Sequence, residues 1–155
     1  MIQRIQSVYL SLIVLISLLL FNGSFLVFTE NTGFVINVTF IGLFRDTNGQ
    51  GIVMIERLLP LSVLIVLIPL VSLVTIFLFK KRTVQLLFAK VLFGLLSAFV
   101  LVSCFYIYRI ISKYSGQIIP GAKMVIPLVL LILSILALRG IRKDDQLVKS
   151  YDRLR

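Results

Sequence analysis

Four long apolar runs, Ile5 to Phe28, Leu58 to Phe79, Leu86 to Tyr108 and Ile118 to Leu138, are separated by three polar breaks. Each is close to the ~20 residues that a helix rising ~1.5 Å per residue needs to cross a hydrocarbon layer about 30 Å thick. A 155-residue chain that is 59% hydrophobic and 14% charged has no outer layer with which to cover four such helices in water. The expectation is an all-α integral membrane protein, a single domain spanning 1–155 with four transmembrane helices at about 5–28, 58–79, 86–108 and 118–138. Residues 29–57 then form an extracytoplasmic loop and 139–155 a cytoplasmic tail. Although Arg4 precedes an apolar stretch, the first run is too long for a secretory signal and carries no small-residue cleavage site before Thr29, so it reads as a retained helix.

The formal charge of +10 matters through its distribution. With the N-terminus inside, Arg4, Lys80, Lys81, Arg82, Lys90, Arg139, Arg142, Lys143, Lys149, Arg153 and Arg155 are cytoplasmic, and Arg45, Arg57, Arg109, Lys113 and Lys123 are outside. This bias obeys the positive-inside rule with both termini cytoplasmic, as expected of a multi-pass protein of a bacterial inner membrane. The cations then point to anionic lipid headgroups. No nucleic-acid reading module accompanies them, so nucleic acid is not an expected partner.

In the loop 29–57, Phe34, Ile36, Val38 and Phe40 alternate with Val35, Asn37, Thr39 and Ile41, the period of a strand. Asp46, Asn48, Gly49 and Gly51 suit a turn, and Ile52 to Ile55 suit a return strand, so a small β-hairpin is expected over the outer helix ends. Pro69 should kink the second helix, and Pro120, Gly121 and Pro127 should make the start of the fourth irregular. On the third helix Gly94 and Ala98 form a small-xxx-small pair that invites close helix packing, with a neighbour or with another protein.

Intramembrane chemistry has little to work with. Glu30, Asp46, Glu56, Asp144, Asp145 and Asp152 all fall in loops or the tail, and the chain has no histidine. The lone cysteine, Cys104, reads as an apolar filler, and the intramembrane serines have no base beside them. No catalytic, cofactor-binding or metal-binding residue is expected, and an enzyme is not expected. Lys90, the one charge inside a span, can carry its ammonium outward to the cytoplasmic headgroups, while Arg109, Tyr106, Tyr108 and Tyr114 suit the outer interface. In the tail, Leu147, Tyr151 and Leu154 recur at helical spacing, a stripe for the membrane surface or a partner. Arg4, Lys80, Lys81, Arg82, Lys90, Leu147, Tyr151 and Leu154 are therefore the expected partner or lipid contacts.

The segments Met1-Ile-Gln-Arg-Ile-Gln-Ser-Val-Tyr-Leu10 and Ile141-Arg-Lys-Asp-Asp-Gln-Leu-Val-Lys-Ser-Tyr-Asp-Arg-Leu-Arg155 resemble the two ends of a family of small, uncharacterised four-helix inner-membrane proteins of Bacteroidota, catalogued as a domain of unknown function. The resemblance implies a four-helix inner-membrane protein and brings no activity. Its polar signature lies at both ends, which suggests that the ends meet each other or a common partner. The leading expectation is a non-enzymatic accessory or scaffold subunit of an inner-membrane assembly, with other inner-membrane proteins as partners and homo-oligomers allowed. An oligomeric small-solute transporter or channel is the alternative; a lipid-modifying enzyme built on Lys143, Asp144 and Asp145 is a weaker one.

Overall fold

The computed structural model describes residues 5–30, 35–46, 52–113 and 116–153. The chain begins in a helix, α1 (Ile5–Leu18), which tightens into a 3-10 turn at Leu19–Phe21 and then stops. The stop is local chemistry. Gly23 follows with φ of +79°, a left-handed conformation that side chains with a Cβ rarely adopt. Lys123 reaches across from the far part of the sequence and donates from Nζ to the Asn22 carbonyl, one of the acceptors that a helix end leaves open.

Freed from the helix, the β-branched and aromatic residues that follow pair as strands. These are β1 (Leu26–Glu30), β2 (Val35–Val38), β3 (Gly42–Asp46) and β4 (Ile52–Arg57). A fifth strand, β5 (Gly116–Pro120), arrives from the other end of the sequence and pairs with β1, Leu26 opposite Pro120 and Val27 opposite Ile119. The sheet is antiparallel in the order β4-β3-β2-β1-β5, so β4 and β5 are its edges. Pro120, which lacks a backbone donor, is tolerated on such an edge. The remaining helices are α2 (Leu59–Phe77), α3 (Arg82–Lys113) and α4 (Ile126–Arg153), the last preceded by a 3-10 turn at Ala122–Val125.

The all-α expectation is corrected here. The described residues combine four α-helices with a five-stranded antiparallel sheet, and the expected hairpin is only part of that sheet. Two of the apolar runs are divided between helix and strand. Leu26 to Phe28, placed in the first helix by hydropathy, lie in β1, and Ile118 and Ile119, placed in the fourth, lie in β5. Leu59–Phe77, Thr83–Lys113 and Ala122–Gln146 are long and apolar enough to cross a membrane, whereas the apolar helix Ile5–Phe21 is shorter. The expected turn around Asn48, Gly49 and Gly51 lies outside the described residues.

The helices close a ring, α1 against α2 and α4, and α3 against the same two. Leu10, Ile13, Leu61, Ile65, Ile68, Leu92, Leu96 and Leu130 fill its axis, each no more than 1% exposed. Outward, the same helices remain apolar. Leu70 on α2, Leu101 on α3 and Ile132 on α4 are exposed, an apolar outer surface compatible with a membrane. Pro69 is buried within α2, which runs as one helix from Leu59 to Phe77.

The sheet caps one end of this ring. Leu26 and Phe28 of β1 and Ile36 and Val38 of β2 are buried, alternating with less buried neighbours, and Leu43 is buried beside Gly42 at the start of β3. Phe40, in the turn between β2 and β3, stacks on Phe25 with ring centroids 4.2 Å apart and meets Phe99 of α3 at 5.5 Å. Three aromatic rings, each no more than 1% exposed, thus join the sheet to the bundle.

Candidate functional site

At the end of the bundle away from the sheet, the two terminal segments meet. Gln6, on the first turn of α1, is only 4% exposed, and its Nε2 donates to Asp144 Oδ2 on α4 at 2.7 Å. Gly140, one turn earlier on α4, makes room: a Cβ there would stand 3.4 Å from the Gln6 Cβ. Gln6 Oε1 is buried and finds no hydrogen-bond partner among the described residues.

Two further polar bonds cross between helices in this half of the bundle. Ser72 Oγ on α2 donates to the Leu10 carbonyl on α1 at 3.0 Å, and Gln85 Nε2 on α3 donates to the Thr75 carbonyl on α2 at 3.3 Å. Ala89, Leu138 and Ile141 close the remaining seam between α3 and α4 with apolar contact. Interhelical hydrogen bonds of this kind contribute about 0.6 kcal/mol on average and up to about 1.7. Their larger effect is to fix which helix faces meet. The other buried serines of the helices, Ser17, Ser103 and Ser134, donate to carbonyls of their own helices.

The residues expected to make contacts are distributed along this end. Lys81 and Lys90 are exposed. Lys80, Arg82, Leu147 and Tyr151 belong to helical segments, with side chains outside the described residues; Arg4 and Leu154 lie outside them altogether. Gly94 is exposed and has nothing within 4 Å of where a Cβ would stand, while Ala98 is half-buried. The notch at Gly94 therefore faces out of its own bundle, open to a helix of another molecule.

A second feature lies where β3 and β4 meet the far turns of α3. Leu43, Leu58, Tyr106 and Ile110 line a shallow cleft whose enclosed space is about 10 Å³, with Glu56, Arg109 and Lys113 at the rim. Lys113 Nζ and Glu56 Oε2 stand 3.6 Å apart, and both side chains are more than a third exposed. Such a pair gives orientation more than stability. Tyr108 projects outward, 72% exposed, and Tyr114 lies outside the described residues. Among the described residues no three of Cys, Asp and Glu gather as a metal-binding group.

Sequence reasoning passed over Gln6 and Gln85. The signal was periodic: Gln6, Leu10, Ile13 and Ser17 are the buried residues of α1, a single stripe at helical spacing with a polar group at each end. Gln85 sits in the same way below Ala89, Leu92, Leu96 and Phe99, and is 1% exposed.

Neither the curated proteins nor the solved structures contain a match to this chain. The profile of one family matches residues 2–154, covering both the Gln6 to Asp144 junction and the sheet, and the chain belongs to that family, described as a domain of unknown function (DUF4293).

Proposed function

We propose that this protein is a non-enzymatic accessory or scaffold subunit of a bacterial inner-membrane assembly, with both termini cytoplasmic and the sheet held outside the bilayer. The observation that carries the reading is β4. Its Ile52, Val53, Met54 and Ile55 are 71, 56, 38 and 41% exposed on an edge strand. Acyl chains cover the apolar helix faces, but they do not reach a strand held in water above them. Such an edge offers unpaired backbone groups beside apolar side chains, and soluble proteins normally blunt or cover it. A strand contributed by a partner satisfies both requirements.

The transporter alternative has less support, because the axis of a single bundle is filled by aliphatic side chains. The bond between Gln6 and Asp144 supports a structural role for the two ends, which hold α1 to α4.

The reading is tested by purifying a tagged copy, expressed from its own locus, in mild detergent. A stoichiometric partner is expected, and Ile52→Lys together with Met54→Lys should lower its recovery by about tenfold, the effect of losing roughly 1.4 kcal/mol of binding. A chain that stays alone, or a partner retained by the doubly charged variant, contradicts it.

A further inference from the structure

The ribbon formed by β3 and β4 carries opposite charges at its two ends, Arg45 and Asp46 on β3 and Glu56 and Arg57 on β4. Asp46 stands opposite Ile52 and Arg45 opposite Val53, while Leu43 stands opposite Glu56 and Gly42 opposite Arg57. Between them Phe44 faces Met54, and the register shifts so that Ile55 is left over. Residues directly opposite share a face of an antiparallel sheet. Leu43 is buried, so Arg45, Val53 and Glu56 lie on its side, toward the bundle, and Asp46, Ile52, Met54 and Arg57 lie on the outer side. The ion pair of Glu56 with Lys113 of α3 agrees with this division. Asp46 and Arg57 are exposed, and neither forms an ion pair among the described residues.

Two β4 strands set antiparallel about a two-fold axis at Met54 bring these charges together. Ile52 of one copy then lies beside Arg57 of the other, and Val53 beside Glu56. On the outer face, Arg57 of the second copy stands two strand spacings, about 10 Å, from Asp46, within reach of the two side chains. On the inner face, Glu56 of the second copy stands equally near Arg45. The symmetry makes each match twice. A slip of two residues toward greater overlap of the charged ends would set Glu56 directly against Glu56 of the other copy, a repulsive pair.

The same axis suits a membrane. A two-fold relating antiparallel edge strands is perpendicular to the sheet, and the sheet caps the bundle, so the axis runs along the bundle and both copies insert the same way up. A parallel pair would put the axis along the strands and turn the second bundle over. Joining β4 to β5 of another copy would leave free edges and an open chain, and Pro120 removes a donor from the β5 edge.

We infer that the strand covering β4 is β4 of a second copy, antiparallel about Met54, so that the two sheets become one continuous sheet across a symmetric dimer. The inference rests on the partner reading of β4 given above and gives that partner an identity.

The test is disulfide cross-linking in native membranes with copper phenanthroline as oxidant, on the full-length chain in a Cys104→Ser background. Met54→Cys should give a linked dimer, because its two copies face each other across the axis. Ile52→Cys alone should not, whereas Ile52→Cys expressed with Arg57→Cys should link one to the other. In the Met54→Cys chain, Asp46→Arg or Arg57→Asp should each lower the dimer yield about fivefold, since every reversal acts twice. The two reversals together should restore it, a rescue that a folding defect would not give. Linking of Ile52→Cys to itself as readily as Met54→Cys, or no rescue by the double reversal, would overturn the dimer. A Met54→Cys chain that does not link to itself yet is protected from an impermeant maleimide would also overturn it, and would leave the partner reading standing with a different protein on β4. A Met54→Cys chain that neither links nor is protected would refute both.

Discussion

Phe40→Ala is expected to cost about 3–5 kcal/mol, the largest single loss among the changes considered for this chain. The side chain is 1% exposed and lies between Phe25 and Phe99, so truncation leaves a cavity at the joint between sheet and bundle. It also removes two ring contacts, each contributing about 0.5–1.5 kcal/mol beyond burial, already included in that range. The surroundings have little room to collapse, because one neighbour belongs to a strand-leading segment and the other to α3. Phe40→Leu keeps most of the volume and should cost less than about 1.5 kcal/mol. Denaturant unfolding of the purified chain in mild detergent separates the two. A Phe40→Ala variant as stable as the Leu variant would show that the aromatic joint does not hold the sheet.

The second large effect is expected at Gly23. A residue with a Cβ in the left-handed region costs about 1–2 kcal/mol, and a β-branched one tolerates it least. The new Cβ would also stand 2.6 Å from Lys123 Nζ, so the lysine would have to release the Asn22 carbonyl. Gly23→Val should therefore destabilise by about 2–3 kcal/mol, combining the conformational cost with a lost charge-assisted bond. Lys123→Met removes the bond alone and should cost less. Gly23→Asn probes the backbone, since asparagine accepts the left-handed region more readily than valine. If all three variants lose the same amount in the same unfolding assay, the positive φ contributes nothing.

These two sites also explain how much of the fold was legible in the sequence. Hydropathy located the apolar runs because lipid and a helix impose the same demand over ~20 residues. It did not show where a run changes from helix to strand. Asn22-Gly23 is a turn signal within the first run, and its weight lies in the αL conformation rather than in hydropathy. Ile118 and Ile119 carried no comparable signal. Two isoleucines before a proline are strand residues here because β1, some ninety positions earlier, provides the partner. The alternation around Ile36, Val38 and Phe40 was legible, and all three are buried.

The functional features divide in the same way. The meeting of the two ends was suggested by the position of their polar signature and takes the form of Gln6 bonded to Asp144. The cleft at Arg109 was not foreseen beyond an interfacial anchor, because Leu43, Glu56 and Lys113 come together only through the folding of β3 and β4 against α3. Gly94 and Ala98 were expected to pack against another helix; Gly94 is exposed, with nothing within 4 Å of where a Cβ would stand. Its outward direction depends on the helical phase set by Leu92, Leu96 and Phe99, which turn the opposite side of α3 inward.

The central claim is that the bundle lies in the membrane and holds the sheet outside, and single-cysteine accessibility tests it most directly. In a Cys104→Ser background, Asp46→Cys on the exposed end of β3, Lys81→Cys in the basic turn and Ile132→Cys on the outer face of α4 would each be treated with a membrane-impermeant maleimide on intact spheroplasts. The account predicts modification of the Asp46 variant from outside, of the Lys81 variant only after permeabilisation, and of the Ile132 variant in neither state. Labelling of the Lys81 variant from outside, or ready labelling of the Ile132 variant in native membranes, would contradict it.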